Sequence, residues 1–275
     1  MNISRVVDGI EKTAADHIKA EQGDYIVDGL LHCGKCHTKK QTRVFILDRE
    51  RTPMCLCKCQ AEKREREEAE RKRVEFERRV KELRRAGFPE SDMQNWTFAN
   101  DDSANEKISK VARNYLENFD RMRQDGKGLL LFGTVGTGKT FAAACIANGL
   151  IDRGVPVLMT KFTDIADGIF HNKFSYQDFN KYPLLILDDL AAERKTEYMQ
   201  EIVYNVIDSR YRAGLPLIVT TNLTADKLKN PADVTDQRTF SRLLEMCIPL
   251  EVSGDDRRRK KLRGDFDKYK DILGV

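Results

Sequence analysis

No stretch of this 275-residue sequence approaches the roughly 18 consecutive apolar residues that a membrane-spanning helix needs, so a membrane-embedded role is not expected. The opening residues, Met1-Asn2-Ile3-Ser4-Arg5-Val6-Val7-Asp8, lack the apolar core of a secretory signal. Charge of one sign is scarce too. Lys and Arg total 48 and Asp and Glu 44, and the resulting +4 is too small to argue by itself for a nucleic-acid partner. There is no internal repeat, and Trp96 is the single tryptophan. A cytoplasmic protein is therefore expected. In that reducing compartment the seven cysteines read as metal ligands or small core residues rather than disulfides. What is present, 40% hydrophobic and 33% charged residues, suits one medium globular domain with an appendage, or two domains.

Residues 1 to about 22 carry Ile3, Val6, Val7, Ile10 and Ala14 at helical spacing. Five cysteines then fall within residues 33–59. From Gln60 to Ala86 charge of both signs dominates, with Phe76, Val80 and Leu83 at helical spacing and Gly87, Phe88 and Pro89 as the stop. A solvated linker helix with i,i+4 ion pairs is the plainer reading of this segment; a helix that binds a partner or nucleic acid is the other. Beyond it, helix and strand alternate. Helices are predicted over about 104–124, from the loop at residue 140 to Gly154, over 162–180 and over 196–213. Strands are predicted at 128–132, 156–160, 184–187, 217–221 and 248–252. Continuous apolar strands such as Leu184-Leu185-Ile186-Leu187 suit burial on both faces, and the alternation implies a three-layer α/β domain with a parallel sheet.

The most informative run is Gly133-Thr134-Val135-Gly136-Thr137-Gly138-Lys139-Thr140. An apolar strand, Leu129-Leu130-Leu131-Phe132, precedes it and a helical stretch beginning Phe141-Ala142-Ala143-Ala144 follows, which is the context a phosphate-binding loop requires. Its glycines let backbone N–H groups approach phosphate oxygens, and the helix N-terminus adds partial positive charge. Lys139 can reach the β- and γ-phosphates of a nucleotide such as ATP, and Thr140 can offer its hydroxyl to Mg²⁺.

About fifty residues on, Leu184-Leu185-Ile186-Leu187 ends in Asp188-Asp189. Alone, such a pair could cap a helix. Placed beside the phosphate-loop strand, Asp188 would sit near Mg²⁺, directly or through water, and Asp189 would face the attacking water, with Glu193 in reserve. The strand Leu217-Ile218-Val219-Thr220-Thr221 ends in Asn222, which could orient that water or contact the γ-phosphate, or simply form a turn. Arg238 and Arg242 lie one helical turn apart; either could reach a neighbouring subunit's γ-phosphate or form a surface ion pair. The run Arg257-Arg258-Arg259-Lys260-Lys261 reads as a solvated basic face, a nucleotide-sensing arginine or a contact to a nucleic-acid backbone.

In the N-terminal region Cys33-Gly34-Lys35-Cys36 forms a C-x-x-C knuckle, and Cys55-Leu56-Cys57-Lys58-Cys59 follows, with a short strand, Val44-Phe45-Ile46-Leu47, between them. Two thiol-bearing turns around a hairpin are the layout of a zinc ribbon, where Zn²⁺ takes four thiolates. Cys33, Cys36, Cys57 and Cys59 are the favoured ligands, with Cys55 as a replacement for one and His32 or His37 as weaker candidates. Reduced structural thiols, or a redox C-x-x-C, are the alternatives.

From about residue 95 to 262 the sequence resembles the DnaC/IstB-like branch of AAA+ ATPases, which includes bacterial and phage replicative helicase loaders. The resemblance rests on Asn95-Trp96-Thr97-Phe98, the phosphate loop, Ile186-Leu187-Asp188-Asp189-Leu190, Glu193-Arg194, Tyr204-Asn205-Val206-Ile207-Asp208-Ser209-Arg210-Tyr211, Pro216 to Leu223 and the Arg238–Arg242 helix, in that order. It implies an AAA+ fold, with Asn222 as sensor 1, Arg242 ahead of Arg238 as arginine finger, and Arg258 as sensor 2. Asp256-Arg257-Arg258 departs from the Ser-Tyr-Arg often found there, and Ala191 stands where Gly commonly follows. The expected organisation is a zinc-binding, helicase-interacting module (1–60), a charged helical linker (61–94) and an AAA+ domain (95–275). The expected partners are a replicative DNA helicase, single-stranded DNA and further copies of the chain, in an ATP-dependent oligomer. An IstB-like transposase helper, or a zinc-ribbon adaptor with a bound but scarcely hydrolysed nucleotide, are the competing expectations.

Overall fold

The computed structural model describes residues 20–46, 49–88, 91–102, 105–190, 196–231, 233–257, 266, 268–270 and 272–274. The helix expected over residues 1–22 lies almost wholly outside them. The chain divides into two compact units, Met1–Glu77 and Arg78–Val275.

In the first unit β1 (Tyr25–Val27) pairs antiparallel with β2 (Leu30–His32), and β3 (Val44–Ile46) with β4 (Arg49–Arg51). Only β3 is predicted from the sequence. The β1–β2 hairpin has strands too short to show alternation, and it turns through Asp28 and Gly29, both at positive φ. Among its described residues few apolar side chains are buried: Leu30, Cys33 and Cys57. Lys40 has no exposed surface and is paired with Asp24 at 2.6 Å, the partner a buried ammonium requires. That contact holds the Asp24 carboxyl down at about 2. Helix α1 (Lys58–Gly87) carries exposed i,i+4 pairs, Lys63–Glu67, Glu68–Lys72 and Arg73–Glu77. Phe76 stays exposed, whereas Val80 and Leu83 pack on the core of the second unit, to which they belong.

The second unit is built on β5 (Gly128–Phe132), β6 (Val157–Lys161), β7 (Leu184–Leu190), β8 (Leu217–Thr221) and β9 (Cys247–Glu251). They form one parallel sheet in the order β6-β7-β8-β5-β9. Alternate residues of the central strands serve two cores. Leu129, Leu131, Leu184, Ile186 and Ile218 face one core, which includes α2 (Glu106–Glu117) and α4 (Lys139–Asp152). Leu130, Phe132, Leu185, Leu187, Leu217 and Val219 face the other, with α5 (Phe162–Phe170), α6 (Glu197–Arg212), α7 (Ala225–Lys229) and α8 (Val234–Met246). Helices therefore cover both faces, as the sequence predicts. Among the described residues no helix is long and apolar enough to cross a membrane.

Three details differ from expectation. The helix expected over 104–124 breaks at Asn118, whose side-chain amide donates back to the Asn114 carbonyl; α3 (Phe119–Gln124) restarts after it. The helix expected over 162–180 stops at Phe170. Asn172 adopts a left-handed conformation (φ 54°) just beyond that end, and a 3₁₀ turn, Tyr176–Lys181, follows, capped by Ser175. Most consequentially, the acidic strand β7 is not beside the phosphate-loop strand β5, because β8 lies between them.

Arg210 on α6 is fully buried, and its guanidinium donates to the carbonyls of Phe179, Tyr182, Pro183 and Pro216. It thereby ties the segments entering β7 and β8. Burial draws its pKa down to about 10, so it remains a cation at neutral pH. Arg210→Ala strands these carbonyls and opens a cavity; the expected loss is about 3 kcal/mol of unfolding free energy in urea titration, and a change under about 1 kcal/mol would contradict the role.

A nucleotide cradle and a four-thiol cluster

The loop between β5 and α4 turns through Gly133, Gly136 and Gly138, all at positive φ. At Gly136 (φ 81°) a Cβ would collide with the Asp256 carboxylate, so only glycine fits. Gly138 (φ 95°) delivers the chain into α4, the next residue being Lys139. The Lys139 ammonium donates to Gly133 O at 3.0 Å, Thr134 O at 2.7 Å and Asn222 Oδ1 at 2.9 Å. Thr137 is buried, its hydroxyl bonded to Thr134 O. The exposed Val135 completes the loop.

The acids reach the cradle through β8. Between Leu187 and Leu190 the β7–β8 register shifts, and Asp189 takes a left-handed conformation (φ 62°), unusual for a residue with a side chain. This irregularity aims Asp188 and Asp189 into one cavity. The Thr220 hydroxyl accepts from the Asp189 N–H at 2.9 Å and donates to Asp188 Oδ1 at 2.6 Å. Asn222 donates to Asp189 Oδ1 at 2.9 Å while its own oxygen receives Lys139. Asp188 is buried, which pushes its carboxyl above the ordinary value, while the hydroxyls of Thr220 and Thr140 pull the other way. Thr140 and Asp188 are thus neighbours at the buried end of the cradle. An oxygen-donor pair of this kind could hold a hard divalent cation.

The cavity, of about 440 Å³, is lined by the loop, Asp188, Asp189, Thr220 and Asn222, and further by Lys161, Arg257, Phe141, Met93 and Trp96. The last five and Thr220 were not singled out as site residues from sequence. A pair of hydroxyls, Thr220 and Thr221, ending an apolar strand just before Asn222 is the signal that would have found Thr220. Arg257 donates its backbone N–H to Gly136 O, pairs with Asp102, and holds its guanidinium 5.4 Å from the Phe141 ring centre. Its neighbour Arg258 lies outside the described residues, as do Ala191, Glu193 and the rest of the basic run to Lys261.

Arg238 is exposed on α8. Arg242, by contrast, is paired with Asp208 on α6 of its own subunit, with its guanidinium 4.6 Å from the Tyr204 ring centre.

In the first unit the sulfurs of Cys33, Cys36, Cys57 and Cys59 all lie within 4.8 Å of one another. Cys59 Sγ is 3.6 Å from Cys33 Sγ and 3.4 Å from Cys57 Sγ. Four thiolates about 2.3 Å from a tetrahedral ion sit roughly 3.8 Å apart, so this group could hold a metal ion. The Thr38 hydroxyl draws the Cys36 thiol down to about 5, toward the thiolate that a metal takes. Cys55 lies outside the group, its thiol directed at Lys39 O. His32 and His37 point elsewhere, bonded through Nδ1 to Leu30 O and the Tyr25 hydroxyl.

Thr220→Val keeps the shape of β8 but removes the hydroxyl that links both acids. ATPase turnover is expected to fall at least tenfold with the circular-dichroism spectrum unchanged, since a hydrogen bond to a charged group contributes about 1.5–3 kcal/mol. An unaltered turnover number would remove Thr220 from the site.

The family profile described as IstB-like ATP binding protein matches residues 61–264. The replicative helicase loader DnaI of Bacillus subtilis is 24% identical over 206 residues, 68% of this chain and 66% of that protein, just under two thirds of its length. A putative insertion-sequence ATP-binding protein of Mycobacterium tuberculosis is 28% identical over 194 residues, 67% of this chain and 75% of that one. In structure, a crystal structure of DnaI superposes with a TM-score of 0.51 at 26% identity, covering 62% of this chain and 95% of that one. The phosphate loop, the interposed β8 and the paired acids sit inside the matched region, and the chain belongs to the DnaC/IstB-like family of AAA+ ATPases.

Proposed function

We propose that this chain is an ATP-dependent replicative helicase loader. A metal-stabilised N-terminal module, about residues 1–60, holds the helicase, and the charged helical segment 61–94 joins it to the AAA+ domain, 95–275. The observation that carries this reading is the four-thiol cluster of Cys33, Cys36, Cys57 and Cys59, which precedes the family region and equips the chain with a second, separately stabilised unit. In a segment with so few buried apolar residues, Zn²⁺ supplies the cross-link that a core would otherwise provide.

In the cradle, ATP phosphates take the N–H groups of residues 133–140, and Lys139 exchanges its carbonyl partners for phosphate oxygens. Mg²⁺, when bound, neutralises charge on the β- and γ-phosphates; Thr140 and Asp188 are the residues that would hold it. Asp189, oriented by Asn222, accepts a proton from the attacking water as its oxygen bonds to the γ-phosphorus and the bond to the ADP oxygen breaks. Asn222, touching both Lys139 and Asp189, registers the γ-phosphate. The arginine given to a neighbouring copy is Arg242, which would leave its pair with Asp208 to reach the phosphate, with the exposed Arg238 as the second candidate. Hydrolysis then releases the helicase onto single-stranded DNA, whose phosphates the basic residues of the C-terminal half contact.

The 28% identity to the insertion-sequence protein favours a second reading, a transposase helper acting on duplex DNA with the same ATPase parts. Co-purification separates the two. A loader retains the replicative helicase of its host and releases it on ATP hydrolysis. Retention of a transposase, with no helicase bound, would establish the helper instead.

Lys139→Ala and Asp189→Ala are each expected to lower ATPase turnover at least a hundredfold, Lys139→Ala also weakening ATP binding. Activity that survives both would point to an adaptor whose nucleotide is structural. Metal analysis should return one zinc per chain. Cys33→Ser should lose that zinc and the fold of the first unit, whereas Cys55→Ser should keep both; zinc lost equally in the two variants would defeat the four-ligand assignment.

A further inference from the structure

Part of the nucleotide cavity is apolar and aromatic rather than phosphate-binding: Met93, Trp96 and Phe141 line it together with Arg257. Trp96 and Phe141 have ring centres 6.0 Å apart. A purine needs such a surface, flat and polarisable. Phe141 is fixed by α4, but Met93 and Trp96 belong to the short 3₁₀ turn Ser91–Asn95 and the residue after it, with no strand or long helix to hold them.

Besides apolar packing on the core, they are held by one buried amide. Asn148, on α4 and without exposed surface, directs the two N–H groups of Nδ2 at Met93 O (2.9 Å) and Trp96 O (2.9 Å), with Ala144 O at 3.1 Å sharing one of them. Its Oδ1 accepts from Arg84 Nε at 3.1 Å, and the same guanidinium pairs with Asp152 one turn further along α4. Arg84 stands in the last turn of α1. Nothing in these contacts serves the phosphate loop or the acids. An aliphatic residue would fill the volume at position 148 but would leave Trp96 O without its Asn148 donor and Met93 O with the Trp96 N–H alone, and an acid would repel them.

We propose that Asn148, set in its orientation by Arg84, is the positioning residue for the nucleobase: it suspends the Met93–Trp96 wall over α4 and links base occupancy to the C-terminal turn of α1. The inference rests on the assignment of this cavity to ATP. The same helix that starts with Lys139 thus carries both determinants, phosphate capture in its first turn and base capture in its third.

Trp96, as the single tryptophan, makes the wall directly observable. The full-length protein and its Asn148→Ala and Arg84→Ala variants would be titrated with ATP and with inorganic tripolyphosphate, by calorimetry and by Trp96 emission. Asn148→Ala should weaken ATP about tenfold and Arg84→Ala about threefold, with tripolyphosphate affinity within about twofold of the parent. The loss should fall on KM, with kcat nearly kept at saturating ATP. ATP, but not tripolyphosphate, should shift the Trp96 emission. Equal weakening of both ligands would mark Asn148 as a fold residue only and overturn the proposal, as would unchanged ATP affinity in both variants. Should Asn148→Ala fail to fold, Arg84→Ala decides, because its side chain is a quarter exposed and outside the core. A parent protein that binds tripolyphosphate but gains nothing from the base would overturn the inference and leave the phosphate site standing; one that binds neither would remove the site assignment itself.

Discussion

Apart from the direct approach of Thr140 to Asp188, the links across the catalytic edge pass through β8. A parallel sheet ends all its strands at one edge, but only adjacent strands share hydrogen bonds, and here the phosphate-loop strand and the acidic strand are not adjacent. The polar end of β8 therefore carries the connection: Thr220 to both acids, Thr221 to Leu190 O, Asn222 to Asp189 on one side and Lys139 on the other. Those links explain why a strand apolar over Leu217 to Val219 changes character so abruptly at Thr220.

The electrostatics follow from the same arrangement. Asp188 is buried, and burial alone disfavours its charge. The hydroxyls of Thr220 and Thr140 offset part of that cost, as does the charge of Lys161, the residue paired with Asp188 in the β6–β7 register. Asp189 reaches its place only by a left-handed backbone turn in the middle of a strand, a conformation that costs on the order of 1 kcal/mol or more for a residue with a side chain. Such a cost persists where surrounding bonds over-determine the conformation, and here its N–H and its carboxylate are both engaged by β8.

The ATPase half was unusually legible because its signals are local. The phosphate loop is contiguous, strands buried on both faces read as unbroken apolar runs, and Asp188-Asp189 and Asn222 end two of them. The grouping of Cys33, Cys36, Cys57 and Cys59 followed from spacing as well, since C-x-x-C and C-x-C turns each bring two sulfurs together. Strand order was not legible: linear distance between β5 and β7 says nothing of what lies between them, and the expected adjacency of Asp188 to the loop strand was incorrect for that reason. Thr220 and Asn148 were missed because each acts through partners remote in sequence, and Arg257 was read only as part of a basic run in which Arg258 was preferred. Asn118 and Asn172 ended helices early through one side-chain bond and one backbone angle, neither of which changes the apolar periodicity.

Arg210 and α1 show two ways of handling charge, with different consequences in solution. The ion pairs along α1 are exposed, so their strength varies with ionic strength and with any polyanion nearby. The buried guanidinium of Arg210 is compensated by carbonyl dipoles alone, which mobile ions do not reach. Beside a nucleic acid and its dense counterion cloud, the seam between β7 and β8 would keep its geometry while the surface of α1 re-equilibrates. Rigidity where β7 and β8 begin, at the edge of the sheet opposite the acids, and responsiveness on the helix are thereby assigned to different dielectric environments within one chain.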